Sequence, residues 1–193
     1  MLHDDHHISF DQFGRNFVRE VVTADRVAAT IASVVGESIE VGPIAAGPRE
    51  AASANLRGKL AAVDVAPAPP GPTDDGSVLR FSAMVRLECT LAVKAAVMNK
   101  RYRGTLTIPL RLEVRTAPPL RLMIDVTPPA PAEIGVDLES KDRSGRLIQV
   151  LGNIDGEVRT RAAAEVARRV EAPEARRHQE IDILAMVDEV WKP

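Results

Sequence analysis

The sequence predicts an α+β fold: a long N-terminal helix, a meander of long, curved antiparallel strands, and a long C-terminal helix packed on the sheet. Three observations lead to this prediction. Apolar residues recur at steps of three and four near both ends of the chain, which is the helical period. Between them, apolar and polar residues alternate over long stretches, as in strands with one buried face. Proline, glycine and asparagine separate these stretches, as turns require.

The composition is that of an ordinary globular protein. Of the 193 residues, 45% are hydrophobic and 27% charged, which suits a single domain with one core. Aromatic residues make up only 3%, too few for a base-stacking platform, and the net charge of −2 creates no general attraction to nucleic acid or anionic lipid. We therefore expect no nucleic-acid partner and at most peripheral contact with a membrane. Residues 1–8 are polar and predicted to be disordered, and residues 9–193 to form the domain.

The first helix is predicted to begin after Ser9, which is followed three residues later by glutamine in the pattern of a capping box. Its apolar stripe continues through Phe13 and Phe17, and Gly36 is expected to end it. Two interpretations of the phenylalanines stay open. They pack against the sheet as core residues, or they line a lipid cavity.

Two strands are predicted between this helix and the centre of the chain. Residues 38–41 predict a short one, and residues 55–65 predict a longer one with a bulge near Ala61 and Ala62, where the apolar positions change parity. Residues 67–76 are rich in proline and end in Asp-Gly, which is typical of a loop that joins two strands of a hairpin.

The longest strand is predicted over residues 78–98, where every odd position from Leu79 to Val97 is apolar. Ordinary strands have about five or six residues, so a strand of this length implies a sheet that is strongly curved or bent at bulges. The pair Asn99-Lys100 is predicted to form the tight turn that follows.

Three more strands complete the predicted meander. The first covers residues 101–116, with arginines on the outward parity and Pro109 indicating an edge or a bulge, because proline has no amide proton to donate. The others are expected near residues 120–126 and 133–138, on either side of a proline-rich loop.

The second long helix is predicted from Ser144 to Ala172 and is followed at once by a proline. Gly152 and Gly156 lie inside its apolar period and predict a kink or a break. A short strand over residues 181–184 and a last turn or two of helix are expected after it.

Four arginines of this helix predict a basic surface: Arg159, Arg161, Arg168 and Arg169. Two interpretations stay open, a solvated helix face and a contact with lipid phosphates or an acidic protein partner.

Residues that carry catalysis or hold metals are sparse. Three of the four histidines lie in the N-terminal tail, and no serine has the pattern of a nucleophile elbow. The single cysteine, Cys89, falls on the apolar parity of the longest strand, which predicts a buried thiol rather than a nucleophile. We therefore expect no enzymatic activity, no cofactor and no metal site. One cysteine, no export signal and no long apolar segment predict a cytoplasmic protein.

The order of helix, meander of long amphipathic strands and second helix resembles the tubular lipid-binding (TULIP) superfamily, which includes the BPI-like and SMP domains. The residues that carry the resemblance are Thr23-Ala-Asp-Arg-Val-Ala-Ala29 in the first helix, Gly58-Lys-Leu-Ala-Ala-Val-Asp-Val65 in the strand after it, and the long strands between Leu79 and Val126. The resemblance implies a highly curved sheet that wraps a long helix and leaves an apolar groove for acyl chains.

On this resemblance we expect the protein to bind a lipid or another apolar ligand, without catalysis, in a groove between the sheet and the helices. The candidate groove residues share the inward parity of the sheet or the apolar stripes of the helices: Phe13, Phe17, Phe81, Val85, Leu87, Leu91, Ile108, Leu110, Leu112, Leu122, Ile124, Val158 and Val166. Complete closure of the helices on the sheet, with no groove, is the other interpretation.

A second class of function stays open on the same sequence. The chain could be a protein-interaction or assembly module with a closed core, which dimerises through a sheet edge or the C-terminal helix. A curved sheet with a long C-terminal helix also occurs in folds of the START/Bet v 1 type. Such folds normally begin with a strand, whereas this chain is predicted to begin with a helix.

Overall fold

The α+β architecture is confirmed in the computed structural model, which describes residues 7–46, 52–71, 77–95, 98–139 and 145–190. The α-helices in these ranges are α1 (Phe10–Val21), α2 (Ala24–Val35), α3 (Gly145–Glu171), α4 (Pro173–Gln179) and α5 (Ile183–Val190). The strands are β1 (Ser38–Ala46), β2 (Ala52–Pro67), β3 (Val78–Ala95), β4 (Met98–Ala117), β5 (Arg121–Thr127), β6 (Gly135–Glu139) and β7 (Glu180–Asp182). The predicted disorder of residues 1–8 concerns mainly residues 1–6, which lie outside the described ranges.

All seven strands belong to one antiparallel sheet, in the order β1-β2-β3-β4-β5-β7, with β6 also paired to β4. One side of β4 pairs with β3 over residues 98–115, and the other side is shared between two strands. On that shared side β5 pairs with residues 111–117 and β6 with residues 103–107. Pro109 lies in the three-residue gap between them, so the edge predicted at this proline is confirmed.

The hairpin of β3 and β4 is the longest paired unit of the sheet. Pairing runs from Val78 opposite Arg115 to Ala95 opposite Met98 without a register shift. The tight turn predicted at Asn99-Lys100 was therefore wrong, because both residues pair within β4, and the connection falls at residues 96–97, outside the described ranges. Asparagine favours turns, but the alternation of apolar side chains over 36 paired positions (18 on each strand) determines the register.

Two irregularities bend the strands beside this hairpin. The register of β2 against β3 shifts between Leu60 and Ala62, which confirms the predicted bulge. A second shift, between Val41 and Ile44, lets β1 continue to residue 46, so the prediction that this strand ends at residue 41 was wrong. Gly42 occupies that shift with φ +142°, a conformation that side chains other than glycine rarely adopt.

The N-terminal helix is divided in two, whereas the sequence predicted one helix. Ser9 caps α1 as expected, since its hydroxyl accepts a hydrogen bond from the amide of Gln12 at 3.1 Å. Thr23 then acts as a second N-cap, accepting from the amide of Arg26 at 3.4 Å, and α2 begins after it. The β-branched run at residues 21–23 weakens the helix there, and a threonine at its end offers a cap. Gly36, with φ +71°, ends α2 as predicted.

The C-terminal elements follow the prediction closely. Helix α3 ends at Glu171, ahead of Pro173, and runs without a break through Gly152 and Gly156, so the predicted break is absent. The short strand expected over residues 181–184 is β7 (residues 180–182), which pairs with β5, whereas residues 183–184 belong to α5, the expected last helix; α4 was not predicted.

Helix α3 lies inside the curl of the sheet, which forms a half-barrel. It contacts both β1 and β6, which are separated in the sheet by β2, β3 and β4. In a flat sheet these two strands would lie about 19 Å apart, wider than a helix of roughly 10–12 Å, so the sheet has to curl to touch both sides of α3. Ile154, Val158 and Ala162 are buried in this contact with at most 1% exposure.

The outward face of the sheet carries charged side chains, as the arginines on the outward parity predicted. Arg80 pairs with Glu113 across β3 and β4 at 3.0 Å, and Arg86 pairs with Asp64 across β3 and β2. Surface ion pairs of this kind contribute little to stability, but they keep this face in water and the apolar face toward the helices.

Candidate functional site

A cavity of about 860 Å³ lies between the inner face of the sheet and the helices. The part of its wall that β3, β4 and β5 form consists of apolar side chains only: Val85, Leu87, Ile108, Leu110, Leu112, Ile124 and Val126. They are the inward positions at the middle of the long hairpin and on β5, where strand alternation directs every second side chain to the same side. The volume lies near the upper end of the range of roughly 300–1,000 Å³ that is typical of ligand pockets.

The opposite wall is built from all five helices. The side chains that line it are mainly apolar and include Phe17 and Val21 of α1, Val27, Ile31 and Val34 of α2, Val166 and Val170 of α3, Ala175 of α4, and Met186, Val187 and Val190 of α5. Met186 and Val190 line the cavity and yet are 59% and 80% exposed, so the cavity opens to solvent beside α5.

The cavity exists because α3 fills only part of the inner face of the sheet. Residues 154–163 of α3 contribute side chains that are buried in the core, whereas residues 165–170 line the cavity. The sheet shows the same division, since Leu87 and Leu91 are both fully buried, but only Leu87 lines the cavity.

The structure brings together eight of the thirteen groove residues that the sequence predicted. Phe17, Val85, Leu87, Ile108, Leu110, Leu112, Ile124 and Val166 line the cavity. Phe81, Leu91, Leu122 and Val158 are buried in the core outside the lining. Phe13 is 58% exposed and lies outside the lining as well.

The phenylalanines of α1 run from solvent to the cavity. Phe10 is 97% exposed, Phe13 stacks on Phe17 with ring centroids 6.3 Å apart, and Phe17 reaches the lining. None of the residues of α1 is buried. Core packing, one of the two interpretations of the phenylalanines, was therefore wrong for Phe10 and Phe13, because both rings are more than half exposed.

A polar cluster lies on the helical wall. Glu165 accepts hydrogen bonds from Arg168 Nε and Nη2 at 2.8 and 2.7 Å and from Arg169 Nε at 2.8 Å. The bonds from Arg168 are the largest cause that lowers the pKa of the Glu165 carboxyl, to about 2; partial burial raises it, and Arg169 lowers it further. Arg169 also donates through Nη1 to the carbonyl of Val35 at the end of α2.

The basic surface predicted on α3 is largely neutralised within the helix. Each arginine pairs with a carboxylate three or four positions earlier: Arg159 with Asp155, Arg161 with Glu157, and Arg168 and Arg169 with Glu165. Arg169 differs from the other three because it lines the cavity, together with Glu165.

Four further polar residues of the lining were not predicted from the sequence: Arg26, Thr30, His178 and Gln179. Arg26 donates through Nη1 to the carbonyl of Val21 at 2.9 Å, and Gln179 donates to the carbonyl of Val170 at 2.9 Å. Arg26 and Thr30 lie one turn apart on α2, a spacing that could have indicated a shared polar face.

Cys89 has the properties of a core thiol. It is 4% exposed, and burial raises its pKa to about 11, against a smaller lowering by the backbone of Leu106. At neutral pH the thiolate is scarce, so the side chain is a poor nucleophile. Among the described residues no cluster of histidine, cysteine and carboxylate side chains could hold a metal ion, and none of the described helices has the length and apolar character needed to cross a membrane.

No protein-family model matches this chain, and no curated protein sequence is significantly similar to it.

Proposed function

We propose that this protein binds a lipid or another apolar ligand, without catalysis, in the cavity between its curled sheet and its helices. The observation that carries the proposal is the cavity of about 860 Å³, whose sheet wall is entirely apolar. Exposing apolar surface to water costs roughly 25 cal/mol per Å². An apolar ligand that covers the cavity wall removes this cost, which favours its binding.

The resemblance to the TULIP superfamily supports the same function, because the curled sheet around a helix is compatible with a groove fold of that kind. A buried acyl chain contributes about 0.8 kcal/mol per methylene, so ten buried methylenes would contribute about 8 kcal/mol, the scale of micromolar affinity before the entropic cost of association. Affinity of this size allows a carrier or a sensor to release its ligand.

Native mass spectrometry of the purified protein, followed by organic extraction, tests the proposal. We expect an additional mass of lipid size that is lost on denaturation. A matched pair of variants tests whether the ligand binds in the cavity. Ile124→Trp places a large ring in the cavity, whereas Met84→Trp adds the same ring on the outward face of the sheet, where Met84 is 39% exposed. Ligand loss in the first variant only is the expected result. A protein that carries no ligand and takes up none when challenged would contradict the proposal.

A second candidate function is an assembly module, and one observation favours it. Phe10 and Phe13 of α1 and Val190 of α5 are apolar and exposed beside the cavity, and a second chain could cover them. The same spectrum separates the two candidates, because an assembly module would appear as a dimer without a lipid mass.

A further inference from the structure

We propose that the ligand of this cavity is a single-chain amphiphile with one anionic oxygen head group, a carboxylate or a phosphate, and that Arg169 and Arg26 bind the head. This inference rests on the proposed function and specifies its ligand class.

The polar residues of the lining are confined to one side. Arg26 and Thr30 come from α2, Glu165 and Arg169 from α3, and His178 and Gln179 from α4, whereas the lining residues of β3, β4 and β5 are all apolar. A ligand that matches both walls has an apolar tail along the sheet and a polar head against the helices. The volume of about 860 Å³ lies within the usual range for pockets that take one small-molecule ligand, so a single-chain amphiphile fits in it.

The charge of the lining favours an anionic head. Among the described residues, its formally charged side chains are two arginines, Arg26 and Arg169, and one carboxylate, Glu165. That carboxylate is also bound by Arg168, which lies outside the lining and forms two hydrogen bonds with it. Glu165 therefore cannot neutralise both arginines that line the cavity, and a net positive charge is left beside an apolar chamber.

The arginines also have donors left for a ligand. Arg169 uses Nε for Glu165 and one Nη1 proton for the Val35 carbonyl, so of its five N–H groups three make no hydrogen bond to the described part of the chain. Arg26 donates one N–H, from Nη1, to the Val21 carbonyl, and its other side-chain N–H groups make no hydrogen bond to the described part of the chain. The Arg169 side chain is 25% exposed, and its contacts with Glu165 and Val35 hold the guanidinium in place before the ligand arrives. Such a preordered fork suits a carboxylate or a phosphate, which accept two parallel hydrogen bonds.

The test compares three probes that share a twelve-carbon chain: laurate, dodecyl phosphate and dodecanol, each titrated calorimetrically with the full chain below its critical micelle concentration or, for the alcohol, its solubility limit. We expect at least one of the two anions to bind about tenfold or more tightly than the alcohol, the low end for a charge-assisted hydrogen bond. Which anion binds more tightly identifies the head group, and either preference supports the inference.

Arg169→Gln should remove most of the preference for the anion, with Arg26 retaining the rest, and should leave the affinity for dodecanol within about twofold. The matched control is Arg161→Gln, which removes an arginine of the same i,i+4 type on the same helix, paired with Glu157 outside the lining. If Arg169→Gln fails to fold, Arg26→Gln replaces it, because Arg26 is exposed and its loss leaves the Arg169 contacts intact.

The outcomes separate the two proposals. Equal binding of all three probes to the unmodified protein would overturn the anionic head and leave the apolar cavity standing. An equal loss of affinity for all three in Arg169→Gln would assign this residue a structural role only and would also overturn the inference. Binding of none of the probes would count against the proposed function itself.

Discussion

Replacing Gly104 by alanine tests whether the close approach of β6 to β4 is required for the fold. Gly104 pairs with Cys89 of β3 on one side and with Leu138 of β6 on the other. A Cβ atom added there would lie 2.1 Å from the carbonyl oxygen of Asp137 and 2.9 Å from Leu138 Cα. Both targets are backbone atoms, so a side-chain rotation cannot relieve the overlap.

The size of the effect follows from this geometry. Ordinary nonbonded separations are about 3.5 Å, so β6 has to move away from β4 by roughly 1.4 Å. Overpacking of this kind costs about 1–3 kcal/mol, and a backbone obstacle belongs at the upper end. Alanine is about 0.5–1 kcal/mol better than glycine within a strand. We therefore expect Gly104→Ala to lower the free energy of unfolding by about 2 kcal/mol.

Urea denaturation followed by circular dichroism measures this loss. With a slope of about 2 kcal/mol per molar, the midpoint should fall by about 1 M. The control is Gly135→Ala in the same strand pair, where the added Cβ meets Thr107 Cβ at an ordinary 3.4 Å. If the two variants unfold at the same urea concentration, the contact between Gly104 and β6 is not close in solution and the reasoning fails.

Three further predictions concern the cavity and its opening. Because Arg168 lowers the folded-state pKa of Glu165 from 4.5 to about 2, the ion pair stabilises the fold above pH 4.5 and is lost as the pH falls toward 2. Glu165→Gln should therefore be about 1–2 kcal/mol less stable than the unmodified protein at pH 7, with the gap closing near pH 2 in urea titrations; a gap independent of pH would contradict this. Leu110→Arg should unfold the domain or abolish ligand uptake, since Leu110 is 7% exposed and a buried unpaired charge costs several kcal/mol; intact binding in the titration would refute the inward placement. Phe10→Ser should leave the urea midpoint unchanged, because this ring is 97% exposed; a clear drop would show that α1 packs in solution.

The sequence predicted the sheet well because its signals are local. Alternation over residues 78–95 fixes which side chains face inward, and the change of parity after Leu60 locates the bulge in β2. The break between α1 and α2 was missed, because the apolar stripe continues across Thr23 and hides the cap that this residue provides. Likewise, Asn99 has turn chemistry, and only the register across both strands places it inside β4.

The candidate site was predicted only in part, for a different reason. Parity distinguishes inward from outward side chains, but it cannot tell which inward positions α3 covers. Leu87 and Leu91 are equivalent in the pattern of β3 and are both fully buried, yet only Leu87 lines the cavity, a difference that depends on how the helices pack over the sheet. The sequence predicted Arg169 and Arg168 as parts of one basic surface, but only Arg169 lines the cavity. Which of the two lines it depends on how the helix packs, and the sequence pattern does not show this.

The uninterrupted pairing of β3 with β4 has a consequence for the order of folding. All 18 residues of β3 pair with β4, and only two residues separate the two strands in the sequence, so the entropic cost of bringing the strands together is small. The last elements close onto the sheet over much longer separations, as in the bond from Arg121 to Glu180 across 59 positions. We therefore expect the hairpin to gain protection first in pulsed hydrogen exchange and the helical wall to close last. If α4 and α5 became protected as early as β3, this order would be wrong. In the expected order, an apolar molecule meets the open sheet before the helices cover it, so ligand capture could be coupled to the final step of folding.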